Sequence, residues 1–467
     1  MNQENMRLDH SGTADEAASL FTQVFGEVQD LARLSRSQIL ILRQQDQVVS
    51  AAAAVEKEEG GVWYCWLLAV SERCRSKGLG RRLLSEVVNL ARENGASIVW
   101  LKTYQKRAGM QAILRKEGWF LCGAELAGRF DGVREIWRYP IVRAPMGIIV
   151  IGANPEGRGG EWVERIQSMR QIWNLIGIVE QDESHRVHWE QMGIRAFTNL
   201  DDPGSTEGVS AAVIAVPPTK VVQVQRECMT RGIAILVEKP LAGSLAELAA
   251  LQESLMSTPV PLVVGVQRRS HPSYVALRAA LNSEHPSELS VRISLGRPSD
   301  DRPAGHRANR TLCRGGALLD LGYHALDLVH FLLGKPLEMV SCFLASGGDL
   351  AAGIESSANL LGRSGSTWVR VEVDRHGGKK IEEVRARTSE GVWIADREKV
   401  RSPDGNVFYQ CSGSWEAAES GRLVELAGAV AQGRLLSEDL WEHLAAFELI
   451  ERAYAISHIQ GLEGFET

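Results

Sequence analysis

Residues 146–157 read MGIIVIGANPEG, an apolar run that enters a turn containing Gly152 and Gly157. A buried strand, a glycine turn and a helix form the opening unit of a nucleotide-binding α/β fold. The proline-bearing stretch RYPIVRAP, residues 138–145, precedes it, so we expect a domain boundary there. Further apolar runs alternate with helical patterns, which predicts a doubly wound parallel sheet. These runs are LIGIVE (175–180), VSAAVIAVPP (209–218), IAILVEKP (233–240) and LVVGVQ (262–267).

The glycine turn predicts a dinucleotide site. It fits the pattern GxGxxG with Asn154 in place of the second glycine, and an ordinary tight strand-to-helix turn is the alternative. Glu180 ends the next strand, 23 residues beyond Gly157, where an acid accepts hydrogen bonds from a ribose and repels a 2′-phosphate. We therefore expect NAD rather than NADP, with Arg186 nearby as a feature that softens the preference. Pro217 ends the fourth strand, where the cofactor crosses the edge of such a sheet.

Two further motifs carry groups suited to proton-coupled redox chemistry. One is Glu238-Lys239-Pro240, and the other is GGALLDLGYHALD, residues 315–327. If the second is an α-helix, Asp320, His324 and Asp327 share one face, and an apolar stripe of leucine and alanine lies behind them. We expect the glycine pair to let the backbone approach a ligand. The alternative is that these polar groups are solvated surface residues.

The remainder of the C-terminal half has a different character. The stretches ELSVRISLG (288–296), STWVRVEVDR (366–375) and KKIEEVRART (379–388) alternate apolar and polar residues. Such alternation predicts antiparallel strands with one solvated face. A final amphipathic helix is predicted over residues 439–459. This half is therefore expected to be an α+β domain.

From about residue 147 onward the chain resembles the glucose-fructose oxidoreductase, inositol dehydrogenase and MocA family, abbreviated Gfo/Idh/MocA. The motifs that carry the resemblance are IGANPEG, AVPP, EKPLAGS, VGVQRRSHPSY and GGALLDLGYHALD, in that order. The resemblance implies a Rossmann domain, then an α/β domain with a large, open, mainly antiparallel sheet, through which members pair into dimers or tetramers. Asn154 and Val221 depart from the family pattern, which commonly has glycine and histidine at these places.

The same resemblance implies hydride transfer between NAD or NADP and a hydroxyl-bearing carbon of a sugar, an amino sugar or a cyclitol. His324 would take the hydroxyl proton, Lys239 would hold the oxygen, and Asp320 would orient the imidazole or bind a neighbouring hydroxyl. Cofactor contacts would come from Gly152, Asn154, Gly157, Glu180, Pro217, Glu238 and Lys239. Substrate contacts would come from Tyr323, Arg268, Arg269 and Asp327.

The first third of the chain contains a separate anion site. The stretch RSKGLGRR, residues 75–82, follows the strand VWYCWLLAV (62–70) and opens a helix, so backbone N–H groups point outward among basic side chains. Its spacing and the order of elements over about residues 7–140 resemble the GNAT acyltransferases. The resemblance implies acetyl-CoA as cofactor. The implied contacts are Val70, Arg75, Lys77, Gly78, Gly80 and Arg81.

The catalytic positions of the GNAT family are less well matched. The place of the usual tyrosine falls on Leu114, and that of a frequent base glutamate falls on Trp66. Tyr64 and Tyr104 are possible substitutes. The alternative to acetyl transfer is a domain that binds acyl-CoA without catalysis.

Composition limits the possible functions. At 467 residues we expect about three domains, taken as 1–143, 147–266 and 267–467, in an α/β and α+β multidomain chain. A net charge of −6 argues against nucleic acid as a partner. The 7 scattered cysteines predict reduced thiols and no metal site. The N-terminal stretch MNQENMRLDHSG has no apolar signal core, and no run suggests a membrane span, so a cytoplasmic protein is expected.

These observations predict a bifunctional homo-oligomeric enzyme acting on small molecules. An NAD(P)-dependent oxidoreductase would be fused to an acetyl-CoA-dependent N-acetyltransferase. The alternative is an NAD(P)H-dependent imine or ketone reductase whose N-terminal domain is a non-catalytic acyl-CoA-binding sensor or scaffold.

Overall fold

A computed structural model describes most of the chain. The described residues are 6–9, 13–26, 30–44, 48–126, 132–142, 144–298, 309–345, 354–376, 378–411, 415–433, 439–457 and 459–460. The chain divides into two compact units, Met1–Ala144 and Pro145–Thr467.

The first unit is a sheet covered by helices on both faces. Its strands are β1 (Met6–Asp9), β2 (Gln38–Gln44), β3 (Val48–Lys57), β4 (Val62–Val70), β5 (Ile98–Tyr104), β6 (Phe120–Leu126) and β7 (Val133–Pro140). Its helices are α1 (Ala14–Phe25), α2 (Leu31–Leu34), α3 (Leu79–Glu93) and α4 (Ala108–Lys116). Within the described residues the strand order is β1-β2-β3-β4-β5-β7-β6. Helix α1 ends where Gly26 adopts a φ of 71°.

Strands β4 and β5 part from each other at their carboxyl ends. Their parallel pairing runs only from Val62 opposite Ile98 to Cys65 opposite Leu101. A bulge in the pairing of β3 with β4 falls at the same level, since the register jumps across Trp66. A bulge of this kind bends a strand and opens a sheet locally. The second half of β4 is therefore separated from β5 and leads directly into the anion-site turn.

The second unit begins with a parallel sheet. Its strands are β8 (Met146–Ile151), β9 (Trp173–Val179), β10 (Ala196–Phe197), β11 (Val209–Ile214), β12 (Ala234–Val237) and β13 (Leu262–Val264). Its helices are α5 (Arg158–Gln167), α6 (Glu183–Gln191), α7 (Pro218–Thr230) and α8 (Leu245–Ser257). The spatial order is β10-β9-β8-β11-β12-β13, which is the 3-2-1-4-5-6 order of a Rossmann sheet. The order reverses between β8 and β11, and ligands bind at such a switch point.

A larger, mainly antiparallel sheet follows. Its strands are β14 (Glu288–Leu295), β15 (Glu338–Ala345), β16 (Ser357–Ser364), β17 (Thr367–Asp374), β18 (Lys380–Thr388), β19 (Gly391–Ala395), β20 (Lys399–Arg401), β21 (Val407–Gln410) and β22 (Ile459–Gln460). Its helices are α9 (Pro272–Leu281), α10 (Arg310–Cys313), α11 (Tyr323–Leu333), α12 (Trp415–Gln432) and α13 (Leu440–Ile456). The described strands are ordered β21-β20-β19-β18-β14-β17-β16-β15-β22. The predicted fold class is thereby confirmed for all three parts of the chain.

One apolar segment lies at the centre of the second unit. Residues Thr311–Leu333 are long and apolar enough to cross a membrane by length and composition alone, but 78% of the segment's most apolar window is buried in this fold. A core helix passes the same test. Leu326, Leu328 and Val329 of this segment have no exposed surface, as expected of a helix packed on all sides.

Candidate active site at the edge of the parallel sheet

The switch point of the Rossmann sheet is shaped by Gly152. Its φ is +81°, and a Cβ placed there would lie 2.6 Å from the carbonyl oxygen of Ala215. Ala215 follows β11, so the backbones of the two central strands approach each other where a dinucleotide lies in this fold. Helix α5 begins just beyond, and its N-cap residue Gly157 supplies no side-chain hydrogen bond. The first-turn N–H groups are thus without a side-chain cap, as a pyrophosphate site requires.

Helix α5 approaches the end of β8 most closely at Gly159, not at Gly157. A Cβ on Gly159 would lie 2.1 Å from the carbonyl oxygen of Gly152, whereas the nearest atom to a Cβ on Gly157 is 3.5 Å away. Asn154 closes the turn itself, because its Oδ1 accepts the N–H of Glu156 at 2.9 Å. The sequence pattern therefore locates the turn correctly but misses the glycine that the helix packing requires.

Glu180 directly follows β9, as predicted. Its Oε1 accepts the N–H of Asp182 at 3.1 Å, and its Oε2 lies 4.0 Å from Nδ1 of His185. Arg186 donates through Nη1 to the carbonyl groups of Glu180 and Gln181 at 2.8 and 2.7 Å. Two backbone acceptors thus hold the arginine that the sequence suggested as a phosphate partner.

Lys239 joins the two sheets of the second unit. It follows β12 and donates to the carbonyl oxygen of Asp320 at 2.8 Å. It also forms an ion pair with the carboxylate of Asp320. An ammonium group has three N–H donors, so one N–H has no partner among the described residues. The Lys239 side chain is only 10% exposed. Because Lys239 comes just after β12, this N–H donor lies at the carboxyl edge of the sheet.

Asp320 lies in a π-helical turn, Leu318–Gly322, and α11 starts at Tyr323. The sequence predicted one continuous α-helix with Asp320, His324 and Asp327 on a single face. That geometry is wrong, because the wider turn changes the register after Asp320. π-Turns of this kind are common at functional sites.

His324 presents an unpartnered nitrogen. Its Nδ1 is buried and has no hydrogen-bond partner among the described residues. Burial lowers the pKa of His324 well below its ordinary value, and the positive charges of Arg268, Lys239, Arg158 and Arg397 lower it further. The imidazole is therefore neutral at physiological pH and able to accept a proton.

A buried carboxylate anchors this helix. Glu355 Oε1 accepts the N–H of Leu318 at 2.8 Å and the hydroxyl of Tyr454 at 2.7 Å, while Oε2 accepts the N–H of Gly316 at 3.0 Å. A Cβ on Gly315 would lie 2.3 Å from the Tyr454 hydroxyl, and one on Gly316 would lie 2.1 Å from the Glu355 carbonyl. Gly315 and Gly316 are therefore required because Tyr454 and Glu355 pack against their backbone. This corrects the expectation that the two glycines let the backbone approach a ligand.

Three of the predicted substrate contacts lie in a buried polar cluster. Arg269 donates to Asp327 at 2.6 Å, and His443 lies 3.1 Å from the same carboxylate. Tyr323 donates to the carbonyl of His443 at 3.4 Å and is fully buried. Burial opposes ionisation of Asp327, but Arg269 and His443 hold its pKa below the usual value. The burial of Arg269, Asp327 and Tyr323 and their pairing within this cluster argue against direct contact with substrate.

The fourth predicted contact, Arg268, is one of the cations whose charge lowers the pKa of His324. It binds Glu382 through Nε and Nη2 at 3.1 and 2.8 Å. Burial alone would raise the pKa of Glu382, but Arg268 and Arg397 lower it to about 2. This pair belongs to a group around Trp415 that the sequence did not reveal, because its members are distant along the chain.

Glu238 also has a defined role. Its Oε1 accepts from Trp162 Nε1 at 2.8 Å and from Arg158 Nη2 at 2.9 Å. Arg158 in turn binds Glu419 of α12 at 2.8 Å. The motif glutamate therefore ties the cofactor helix α5 to the strand end that carries Lys239.

In the first unit, the predicted acetyl-CoA contacts meet in the turn between β4 and α3. Gly78 is the N-cap of α3 with a φ of 78° and no side-chain cap, and a Cβ on Gly80 would lie 3.6 Å from Val70. Arg75 lies 3.6 Å from Glu72, and Arg81 lies 2.5 Å from Glu117. Lys77 is half-buried in the same turn. Uncapped N–H groups and basic side chains thus occur together there.

The catalytic positions of the first unit lack the usual groups. Leu114 is fully buried in the core, and the indole of Trp66 donates to Ser37 Oγ at 3.0 Å. Burial raises the pKa of Tyr64 to about 12. Glu56 lies opposite Tyr64 on the neighbouring strand β3 and pairs with Arg33 at 2.7 Å, which lowers the pKa of the Glu56 carboxylate. None of these four side chains is an obvious base for an amine.

The fold and the switch-point residues define a Rossmann-type dinucleotide-binding protein with a large second sheet, preceded by a GNAT-type unit. Residues 146–266 match the family described as "Oxidoreductase family, NAD-binding Rossmann fold", and residues 286–389 match the "GFO/IDH/MocA C-terminal domain". Residues 9–119 match the "Acetyltransferase (GNAT) family". The chain therefore carries Gfo/Idh/MocA-family domains over residues 146–266 and 286–389 and a GNAT-family domain over residues 9–119.

Individual relatives agree with this assignment. Inositol 2-dehydrogenase from Corynebacterium glutamicum strain R is 27% identical over 201 residues, which are 42% of this chain and 56% of that protein. A putative UDP-kanosamine synthase oxidoreductase subunit from Amycolatopsis mediterranei is 34% identical over 35% of this chain and 45% of its own length. The chain thus spans about half the length of the curated relatives it matches.

A solved structure supports the fold. The crystal structure of GenD2 from gentamicin A biosynthesis, in complex with NAD, superposes with a TM-score of 0.55 at 21% identity. The match covers 68% of this chain and 97% of that one. This share is about the length of the second unit, Pro145–Thr467.

Proposed function

We propose that the second unit transfers a hydride between a nicotinamide cofactor and a hydroxyl-bearing carbon of a sugar, an amino sugar or a cyclitol. The observation that carries this proposal is the convergence of Lys239, Asp320 and neutral His324 at the carboxyl edge of the Rossmann sheet. Relatives named as inositol dehydrogenases favour the substrate class. Family membership favours the cofactor.

The residues present fit a dinucleotide. Gly152 lets the turn after β8 pack against the end of β11, where a Cβ would lie 2.6 Å from the Ala215 carbonyl oxygen, and the uncapped start of α5 follows this turn. Asn154 in this turn and Pro217 after β11 would contact the cofactor, and Glu180 would accept hydrogen bonds from a ribose. A carboxylate there would repel a 2′-phosphate, so we propose NAD as the preferred cofactor.

The proton chemistry follows from the side chains. The third N–H of Lys239 would donate to the substrate oxygen and favour its anionic form. His324 would accept the hydroxyl proton, because burial and neighbouring cations keep its imidazole neutral. Asp320 fixes the lysine through two hydrogen bonds. When bound, NAD would supply the hydride acceptor.

The same residues serve the reverse direction. For reduction of a ketone or an imine, His324 would return the proton and Lys239 would polarise the acceptor atom. The imidazole is protonated at the end of oxidation and at the start of reduction, so both directions pass through the same charged state. We propose reversible hydride transfer, with reduction of a ketone or an imine as the alternative direction.

For the first unit we propose binding of acetyl-CoA at the turn between β4 and α3. Acetyl transfer to an amine is the fuller proposal, which would make the chain bifunctional. The side chains at the catalytic positions include no obvious base. This favours either acetylation of an amine that arrives unprotonated or a sensor domain that only binds acyl-CoA. Release of free thiol from acetyl-CoA in the presence of amino sugars separates these two cases.

We also propose self-association through the outer face of the large sheet. Phe343, Leu361 and Trp368 share this face by register and are 44%, 39% and 44% exposed. Clustered exposed apolar side chains favour an interface. Light scattering of Trp368→Glu should show a smaller particle than the wild type. Trp441→Glu, which alters an exposed tryptophan on α13, should not.

The redox proposal is tested by the ligands that the purified protein retains and by the reaction it catalyses. Mass spectrometry of the native protein should find NAD or NADH, and a panel of sugars, amino sugars and cyclitols should include a compound that reduces NAD. Absence of nicotinamide binding to the full chain would contradict the proposal.

A further inference from the structure

Two guanidinium groups lie over the indole of Trp415. Cζ of Arg397 is 4.0 Å from the ring centroid, and Cζ of Arg268 is 5.3 Å from it. Both also bind Glu382, since Arg397 Nη2 lies 2.5 Å from the carboxylate that Arg268 contacts through two nitrogens. Two cations therefore share one carboxylate at this place.

Glu382 has little capacity left for Arg397. The Tyr274 hydroxyl donates to its Oε1 at 2.7 Å, so four donors converge on two oxygens. Asp396 is another acid near this group, but its Oδ1 accepts two backbone N–H groups of the following turn at 2.7 and 2.9 Å. Neither carboxylate binds the inner nitrogen of Arg397.

Several buried nitrogens in this region lack partners. Arg397 Nε, His271 Nδ1 and His324 Nδ1 are buried without a hydrogen-bond partner among the described residues. The His271 side chain is only 2% exposed, and its ring lies 6.0 Å from that of Trp415. A buried donor without an acceptor costs free energy, which a polar ligand would recover. The Arg397 side chain remains 33% exposed and so open to such a ligand.

Arg397 is also within electrostatic reach of the proton-transfer group. With Arg268, Lys239 and Arg158, it is one of four cations whose charge acts on His324. Contacts link the two places as well, because Arg158 binds both Glu238, beside Lys239, and Glu419, one turn of α12 beyond Trp415. A ligand group bound by Arg397 would therefore belong to the molecule whose hydroxyl faces His324.

We propose that Arg397, supported by His271 and Trp415, binds an oxyanionic group of the substrate, so that the preferred substrate is a carboxylate or a phosphate rather than a neutral sugar. This inference rests on the proposed dehydrogenase function. It assigns specificity to a residue in the connection between β19 and β20. A guanidinium binds either oxyanion through paired N–H groups.

The test is thermal unfolding of the full chain loaded with NADH, with glucose, glucuronate and glucose 6-phosphate as matched probes at equal ionic strength. At least one charged probe should raise Tm by several degrees more than glucose, and the two charged arms distinguish carboxylate from phosphate. Arg397→Gln should weaken the affinity for that probe about 10- to 100-fold. Arg195→Gln, which alters an exposed arginine over Phe197, is the matched control and should retain it.

His271→Gln is the second variant and guards against misfolding of Arg397→Gln. It should weaken binding of the charged probe in the same direction. Three results would overturn the inference. They are an equal rise in Tm with glucose and with the charged probes, no change in Tm with any probe, and a rise in Tm with the charged probe that both variants retain in full. Fluorescence titration with NADH separates the two claims. Failure of NADH to bind contradicts the proposed function, whereas NADH binding without oxyanion preference contradicts only this inference.

Discussion

Lys239 donates to both the carbonyl oxygen and the carboxylate of Asp320, 81 residues further along the chain. This contact joins the carboxyl end of β12 to the π-helical turn before α11. The lysine is thereby held where its charge acts on His324, and one of its N–H groups has no partner among the described residues. The spatial relation between a Rossmann strand end and a helix of the second sheet is the structural basis of the proposed chemistry.

The glycines of the α5 turn differ in what they tolerate. Gly159→Ala should lower the free energy of unfolding by about 1–3 kcal/mol, because its Cβ would lie 2.1 Å from the Gly152 carbonyl oxygen. NADH binding should weaken as the strand and helix separate. Gly157→Ala is the matched control and should change stability by less than about 1 kcal/mol. Urea unfolding measures both, and equal losses would contradict the assignment of the packing glycine to Gly159.

Glu180 sets the predicted cofactor preference. In Glu180→Ser the ratio of the Kd for NADP to that for NAD should fall about 10- to 100-fold, because a charge that repels the 2′-phosphate is removed. Calorimetric titration with each cofactor measures the ratio. Glu183→Ser, which alters an exposed acid at the start of α6, should leave it unchanged. A ratio that stays constant in Glu180→Ser would remove Glu180 from the site.

Glu355 is expected to position the helix that carries Asp320 and His324. Glu355→Gln should destabilise the protein by about 1–3 kcal/mol. Both carboxylate oxygens accept backbone N–H groups, and the substitution replaces one of these oxygens by an NH₂ group, which can only donate. It should also lower kcat more than it raises KM. Glu338→Gln on the exposed edge of β15 is the control. A variant with reduced stability but unchanged kcat would limit Glu355 to a structural role.

Buried histidines predict how stability depends on pH. Burial lowers the pKa of His271 and of His330 to about 4, so both are neutral in the folded protein. Unfolded histidine protonates near 6.5, and the stability they contribute is therefore present above that pH and lost as the pH falls towards 4. Between about pH 7 and about pH 5 the loss should be on the order of 2 kcal/mol for each.

His443 acts in the opposite sense. Burial works against its charge, but Asp439 and Asp327 raise its pKa, so its contribution is present at low pH and lost as the pH rises. Urea unfolding at several pH values measures the sum. His330→Gln should flatten the acid side of the profile, and an unchanged slope would contradict the assignment.

The sequence was sufficient for the fold class and for the family. The apolar strands and the order of motifs are local features, and they correctly predicted strands such as Val62–Val70 and the Rossmann sheet. Helix α12, Trp415–Gln432, was not predicted, because its apolar residues do not form one clear stripe. Gly159 was missed because its neighbour Gly157 fits the motif spacing better.

The site itself was only partly predictable. Lys239, Asp320 and His324 stand within recognisable motifs, but Glu355, Tyr454 and Arg397 reach the same region from positions far along the chain. Glu355 and Arg397 lie in connections outside the strands and helices, and only Tyr454 lies in a helix, α13. No local pattern marks such residues. Arg269 and Asp327 show the converse, since charged residues beside a motif look available in the sequence yet pair with each other in the core.

The central claim is tested most directly by the rate of NADH formation in Lys239→Met against a panel of sugars, uronates, sugar phosphates and cyclitols. The wild type should reduce NAD with at least one compound. The variant should lower kcat at least about 100-fold for that compound while retaining NADH affinity, because the donor to the reacting oxygen is lost. Retention of the wild-type rate in Lys239→Met, or absence of NAD reduction across the panel, would contradict the account.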